Sequence, residues 1–152
     1  MRIVAQRVSR AEVRVAGAPV GGIGTGLVLL VAVEKGDGAE QVARAAHRFA
    51  TLRVFEDAEG RMNLGVDEVG GSILVVSQFT LAGSIQKGRR PDFFGAAPPA
   101  EAKPLVDALV AALRGRGVTV ATGEFRTMME VELVNDGPVT LVWEDRPGAG
   151  RD

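Results

Sequence analysis

The 152-residue chain contains no cysteine and only one histidine. Without cysteine it has no disulfides, thiolate catalysis or zinc–cysteine centres. No apolar run approaches the roughly 20 residues that span a bilayer. The segment Met1–Val4 carries one charge and leads directly into a strand-like pattern, unlike a signal peptide. We therefore expect a cytoplasmic protein without a membrane segment.

Neither sign of charge is in excess, since 18 basic and 19 acidic residues leave a formal net charge of −1. This balance argues against sequence-independent coating of nucleic acid, although it permits a local basic patch. The length suits one domain. We expect that domain to cover residues 1–144, and the polar, glycine-rich residues 145–152 to form a flexible tail.

Apolar alternation and β-branched runs predict strands, and apolar residues at helical spacing predict two helices. The strands are expected at 2–15, from Val20, at 27–33, 53–56, 62–66, 72–81, 118–120, 127–134 and 139–143. The helices are expected at about 38–52 and 98–114, and Pro104 either delays or kinks the second. Gly22–Gly26 is not a dinucleotide loop, because a strand rather than a helix follows it.

The stretch Ser72–Leu81 begins as a buried β-branched strand and turns polar at Ser77, Gln78 and Thr80. Buried hydroxyl and amide groups need partners or a ligand, so Ser77–Thr80 is a candidate site. A serine or threonine nucleophile needs a base. His47 lies on the polar face of the first predicted helix, and no Gly-x-Ser-x-Gly motif exists, so a Ser-His-Asp hydrolase is not indicated.

Two other segments can carry function. Lys87, Arg89 and Arg90 lie in a loop that follows the candidate site, and can meet the phosphates of a polyanion or form a solvated surface. The Gly137–Pro138 peptide bond lies at a predicted turn. Both the cis and the trans isomer are possible there, because X–Pro bonds prefer trans by only about 1 kcal/mol. The carboxylates near residue 57 are interpreted as a solvated hairpin tip, and we expect no metal and no cofactor.

These segments together resemble the D-aminoacyl-tRNA deacylase family. The resemblance rests on three motifs in order, which are Ser77-Gln78-Phe79-Thr80-Leu81, Lys87-Gly88-Arg89-Arg90-Pro91 and Asn135-Asp136-Gly137-Pro138-Val139-Thr140. Residues 6–10, 33–37 and 52–57 fit as well, and the resemblance runs from residue 1 to about 144. Two pairs depart from the usual pattern: Ala82-Gly83 replaces Tyr-Ala, and Arg126-Thr127 replaces Gly-Ala.

The resemblance implies an enzyme that hydrolyses the ester of D-aminoacyl-tRNA, or of glycine mischarged on a non-cognate tRNA. It implies a homodimer whose two sites lie at the subunit interface. Ser77–Thr80 of one subunit then lines a pocket, beside Met129. Gly137–Pro138 of the other subunit rejects L side chains, with its carbonyls oriented by Arg7.

The same resemblance implies assistance by the terminal 2′-hydroxyl of the tRNA, with Thr80 as an alternative nucleophile. Main-chain N–H groups near Phe79 and Thr80 can stabilise an oxyanion. Phe79 can stack on the terminal adenine or pack in the core. Two rival functions are a catalytically silent RNA-binding module that uses Lys87, Arg89 and Arg90, and a small-metabolite acyl hydrolase that uses Thr80. The expected fold is α/β, with two layers of largely antiparallel or mixed β-sheet and two helices packed on one face.

Overall fold

The computed structural model describes residues 1–148, which form eight strands and two α-helices. The strands are β1 (Arg2–Val15), β2 (Ala18–Ile23), β3 (Gly26–Ala32), β4 (Phe55–Glu56), β5 (Met62–Leu64), β6 (Ser72–Ser77), β7 (Thr119–Thr122) and β8 (Glu130–Glu144). The helices are α1 (Ala39–Thr51) and α2 (Pro99–Gly115), and a 3₁₀ turn spans Phe79–Ala82.

Six strands form one mixed sheet in the order β2-β1-β3-β6-β7, and β8 pairs with β1. The pairs β3–β6 and β6–β7 are parallel, whereas β1 is antiparallel to all its neighbours. β4 and β5 form a separate antiparallel ribbon. Parallel neighbours need crossover connections, and α1 and α2 lie in the two crossovers that join β3, β6 and β7. The predicted α/β fold with mixed sheet is confirmed.

Both helices cover the same face of the sheet. Alternate residues of β3 and β6, such as Leu29 and Val75, pack with the buried side chains of α1 and α2. The intervening residues, such as Val28 and Leu74, form a second cluster on the opposite face with the far half of β1. Two bulges in the β1–β8 pairing, on either side of Val8, let β1 contribute to both clusters.

Three predicted strands end or connect differently in the structure. The strand predicted over 72–81 ends at Ser77, because the backbone then closes a 3₁₀ turn in which the N–H of Leu81 donates to the carbonyl of Gln78. The two strands predicted over 127–134 and 139–143 are one strand, β8, which begins at Glu130. The predicted turn at 135–138 is a bulge within it, since Asn135 pairs with Val8 and Thr140 with Gln6.

Pro104 lies inside α2, which begins at Pro99, five residues earlier. The helix therefore starts before this proline rather than at it. Asp145, the first residue of the predicted tail, accepts a hydrogen bond from Arg44 and pairs through its backbone with Met1. Residues 149–152 lie outside the described residues, so the boundary at residue 144 stays a prediction. Within residues 1–148, no helix is long and apolar enough to cross a membrane.

Candidate functional site

A cavity of about 770 Å³ opens beside the carboxyl end of β6. One wall is the stretch Ser77–Thr80, and the loop 125–129 with Val131 forms another. The segment 96–99 and Ala102, at the start of α2, complete the lining with Val33, Val76 and Phe93. The cavity brings together five of the predicted site residues, which are Ser77, Gln78, Phe79, Thr80 and Met129.

The 3₁₀ turn gives the first wall its geometry. The side-chain amide of Gln78 donates to Oγ1 of Thr80, and the ring of Phe79 meets the edge of Phe93 at 5.1 Å between centroids. The first N–H groups of a helical turn have no acceptor within it. Accordingly, within residues 1–148 the N–H groups of Phe79 and Thr80 donate to no protein atom. This wall therefore offers two unused main-chain donors.

Ionisable groups are scarce in the cavity. Among its lining residues only Arg126 is charged, and no carboxylate or histidine of residues 1–148 lines it. His47 lies on α1, where its Nδ1 is 3.4 Å from Nη1 of Arg116. A hydroxyl at Thr80 consequently has no side chain of the cavity lining that can act as its base. Ser77 also lines a second, neighbouring cavity, whose lining includes Asp107 and Glu124. The site can position a substrate and stabilise negative charge, but it does not supply a general base.

The loop 123–129 contributes its residues 125–129 to the second wall, which the residue patterns did not identify apart from Met129. Its first residue donates from the N–H of Gly123 to the carbonyl of Val75, at 3.1 Å. A Cβ at Gly123 would lie 2.8 Å from Sδ of Met129, so the glycine lets the two ends of the loop approach. Arg126, in the middle, has a left-handed backbone with φ of 56°. No local sequence signal predicts that conformation for an arginine.

Gly137 and Pro138 lie in the bulge of β8 and are exposed. Their peptide bond is cis. Arg7, only 6% exposed, holds the bulge from beneath, because its Nε donates to the carbonyl of Asp136 at 2.8 Å. Its Nη1 donates to the carbonyl of Val54 at 2.7 Å. Gly137 and Pro138 do not line the cavity of their own chain.

The predicted basic loop also lies outside the cavity lining. Lys87, Arg89 and Arg90 are exposed, between Ser84 and Asp92, whose backbones exchange two hydrogen bonds of 2.8 and 3.0 Å. None of the three cations forms a salt bridge with another residue of the described part of the chain. The loop is therefore a short closed projection with three cations free for solvent or a ligand.

The clearest electrostatic perturbations of carboxylates lie away from the cavity. The side chains of Arg10 and Arg14 hydrogen-bond Glu132 on β8 and lower its pKa. The backbone N–H of Arg61, followed by that of Glu59, lowers the pKa of Asp57 at the hairpin tip. Both groups organise structure at neutral pH, and neither is placed to transfer a proton in the cavity.

The comparisons with known proteins identify the family. Residues 4–144 match the family model described as D-Tyr-tRNA(Tyr) deacylase. The chain is 56% identical over 146 residues to a D-aminoacyl-tRNA deacylase of Anaeromyxobacter dehalogenans, covering 96% of this chain and 98% of that protein. It is 56% identical over 148 residues to the enzyme of that name in Heliobacterium modesticaldum, covering 97% and 99%. The chain therefore belongs to the D-Tyr-tRNA(Tyr) deacylase family, and the resemblance is confirmed.

Solved structures agree with this fold. A protein described as c-Myc DNA Unwinding Element Binding Protein aligns with a TM-score of 0.89 and 34% identity, over 97% of this chain and 100% of that one. A probable eukaryotic D-amino acid tRNA deacylase aligns with a TM-score of 0.81 over 93% and 97% of the two chains. At 19% identity, this second likeness supports the fold alone.

Proposed function

We propose that the chain is a D-aminoacyl-tRNA deacylase. It hydrolyses the ester between a D-amino acid and the 3′-terminal adenosine, and also clears glycine mischarged on a non-cognate tRNA. Water adds to the ester carbonyl, the bond to the ribose oxygen breaks, and free amino acid and tRNA leave. Family membership supports the hydrolase activity. The observation that carries the mechanism is a cavity beside Ser77–Thr80 whose lining has no acid–base residue.

The substrate supplies the assisting group, namely the 2′-hydroxyl of the terminal adenosine. The free N–H groups of Phe79 and Thr80 suit the oxygen of the ester carbonyl as negative charge develops on it. Thr80 positions the substrate and is not a nucleophile, because its Oγ1 is engaged by Gln78 and no base adjoins it. Ser77 and Phe79 shape the same wall, and no cofactor takes part.

Selectivity comes from the partner subunit. The bulge with Gly137 and Pro138 is exposed and absent from its own cavity, which supports a role in the cavity of a second copy. Arg7 fixes the carbonyl of Asp136, immediately before the motif. Carbonyl groups held across the cavity exclude an L side chain by a steric clash, and Met129 bounds the space beside them.

The functional unit is a homodimer. β8 pairs only with β1 within the described sheet, so its other edge is open. Four exposed apolar side chains lie along β8 on both sides of the bulge, namely Val131, Val134, Leu141 and Val142. A two-fold axis would bring the same edge of each copy together and place each bulge by the other cavity.

The tRNA body contacts the basic loop. Lys87, Arg89 and Arg90 follow the cavity wall in sequence and have no carboxylate partner in the described residues, so phosphates can neutralise them. Such contacts position a nucleic acid without reading its sequence. A cytoplasmic location, where aminoacyl-tRNA is made, fits this role.

The test is a comparison of D- and L-tyrosyl-tRNA as substrates for the same preparation. We expect rapid release of D-tyrosine and no acceleration of L-tyrosine release above the spontaneous rate. Equal rates on both enantiomers, or none on either, would overturn the proposal. A silent RNA-binding module would bind the tRNA and leave both esters intact. A metabolite hydrolase would lose turnover in the Thr80→Ala variant on an ester that contains no RNA.

A further inference from the structure

Arg126 is the one charged residue that lines the 770 Å³ cavity within the described chain. Its side chain is exposed and forms no salt bridge with any of residues 1–148. A guanidinium without a carboxylate partner, beside an otherwise uncharged cavity, is available to an anion from outside. The basic loop of Lys87–Arg90 does not share this placement, because none of its cations lines the cavity.

The backbone of Arg126 gives a second reason to assign it a role. Its φ of 56° lies in the left-handed region, which L-residues other than asparagine and aspartate rarely occupy. Glycine would adopt this conformation without the clash of a Cβ. Local stability therefore does not account for an arginine at this position, and residues in disfavoured backbone regions concentrate at ligand sites.

We propose that Arg126 is a positioning residue that binds the phosphodiester on the 5′ side of the terminal adenosine. This rests on the proposed function, because the substrate is taken to be aminoacyl-tRNA. Near the scissile ester the amino acid carries a cationic amino group and the adenosine is neutral, so the phosphodiester is the nearest anion. The planar guanidinium matches phosphate oxygens in a bidentate arrangement.

The placement of Arg126 in the cavity lining fits a role in binding the phosphate. Residues 125–129 and the turn of Gln78–Thr80 line the same cavity. An ester carbonyl held at the turn and a phosphate held at the loop would fix the terminal nucleotide at two points. Because the phosphate charge does not change during hydrolysis, this contact stabilises ground state and transition state alike. It should lower KM and leave kcat unchanged.

The experiment uses two probes that differ only in one phosphate. They are D-tyrosyl-adenosine and its 5′-phosphate, each prepared as the ester for kinetics and as the stable 3′-amide for binding. Arg126→Gln should raise KM and Kd for the phosphorylated probes roughly tenfold, the loss of about 1.4 kcal/mol, and leave kcat within about twofold. Values for the phosphate-free probes should not change. Arg126→Lys should recover part of the loss.

The matched control is Arg116→Gln, the same chemical change in an exposed arginine that does not line the cavity. It should leave every value unchanged. Arg126→Gly should match Arg126→Gln in binding while melting no lower than wild type, because glycine accepts the left-handed backbone. With intact D-tyrosyl-tRNA, the plot of log(kcat/KM) against log[salt] should be less steep for Arg126→Gln and Arg126→Gly than for wild type. The slope should differ by about 0.7, the value for one phosphate contact on a single strand.

Three results would overturn the assignment. They are a fall in kcat at constant KM, an equal loss on both members of a probe pair, or no difference from Arg116→Gln. If the proposed function is wrong, the result is different, because the wild-type protein would then hydrolyse neither D-tyrosyl-adenosine nor its 5′-phosphate. The amide probes still decide the role of Arg126 in that case. If wild type and Arg126→Gln bound the phosphorylated amide equally, the phosphate contact would be refuted by itself.

Discussion

Replacing Gly137 with alanine challenges the bulge that we assign to chiral selection. The residue has φ of 147°, a region that is essentially restricted to glycine. A Cβ there would lie 2.8 Å from Cγ2 of Val139, 2.9 Å from its backbone nitrogen and 3.2 Å from Nη2 of Arg7. The first two distances are shorter than real contacts, so the backbone or the valine must move. A movement of the backbone would also displace the carbonyl of Asp136, to which Arg7 donates a hydrogen bond.

The magnitude follows from two separable contributions. The disfavoured backbone costs about 1–3 kcal/mol, and overpacking against Val139 adds about 1–3 kcal/mol. We expect Gly137→Ala to lower the free energy of unfolding by roughly 2–6 kcal/mol, out of about 5–15 kcal/mol for a typical domain. For a chain of this length, the melting temperature should fall by about 4–24 °C.

Two other glycines separate the contributions. Gly60 has φ of 78°, but a Cβ added there would have no atom within 4 Å, so Gly60→Ala should show only the backbone cost of about 1–2 kcal/mol. Gly24 has neither a positive φ nor a close neighbour, and its alanine variant should stay within about 0.5 kcal/mol of wild type. Urea unfolding measures all three variants under one condition.

The same variants test the functional role of the bulge. Gly137→Ala should lower the ratio of D- to L-tyrosyl-tRNA hydrolysis, whereas Gly60→Ala and Gly24→Ala should keep it. A Gly137→Ala protein that is no less stable than Gly60→Ala would show that the contact with Val139 adds no cost. An unchanged D-to-L ratio in a folded Gly137→Ala protein would instead remove the bulge from chiral selection.

Three further changes have defined outcomes. Arg7→Lys keeps the charge, but one ammonium group cannot reach both the Asp136 and Val54 carbonyls. Urea unfolding should therefore show that the free energy of unfolding falls by about 1–3 kcal/mol. A variant as stable as wild type would show that the two hydrogen bonds of Arg7 do not stabilise the fold. The lowered pKa of Asp57 means that its ionised form contributes stability in full above the unfolded value of about 3.9, and that this contribution is lost as the pH falls through the lower folded pKa. Asp57→Asn should therefore lose less stability than wild type between about pH 4 and pH 2, measured by urea midpoints, and parallel curves for the two proteins would be contrary evidence. Thr80→Ala should retain D-tyrosyl-tRNA hydrolysis within about tenfold of wild type in single-turnover assays; a loss of a thousandfold or more would make Thr80 a nucleophile.

Much of the fold could be predicted from local patterns because its elements are strongly periodic. The β-branched runs of β3 and β6 are buried on both faces, as continuous apolar strands predict. The helix predicted over 38–52 appears as α1, over Ala39–Thr51, with its apolar stripe turned to the sheet. In both cases, the side chains that define the pattern are the ones that pack in the core.

The errors arise where long-range contacts override the local pattern. Asn135–Pro138 has turn composition, but pairing with β1 on both sides keeps the chain in one strand and reduces the turn to a bulge. Leu81 continues the apolar pattern of the predicted strand, but its N–H donates to the carbonyl of Gln78 in a 3₁₀ turn. The strand therefore ends before this turn, at Ser77. Neither outcome could be read from local residue preferences alone.

The site was only partly accessible from the sequence. The change from apolar to polar residues at Ser77 predicts one wall of the cavity, because polar residues that cluster at the end of a buried strand indicate a binding site. The opposing wall at 125–129 became visible only in three dimensions, because its residues share no motif with Ser77–Thr80. The contribution of a second subunit, which we propose, has no signal in the residue pattern of one chain beyond the absence of a base beside Thr80.

We propose that the cavity holds an ester for attack assisted by the 2′-hydroxyl of the substrate itself. The direct measurement is single-turnover hydrolysis of D-tyrosyl-tRNA that ends in 2′-deoxyadenosine, compared with the same tRNA that ends in adenosine. Binding of both should be similar, and the rate should fall by at least about a hundredfold, the typical contribution of a positioned acid–base group. Equal rates on the two substrates would overturn this mechanism, because the protein would then have to supply the missing group.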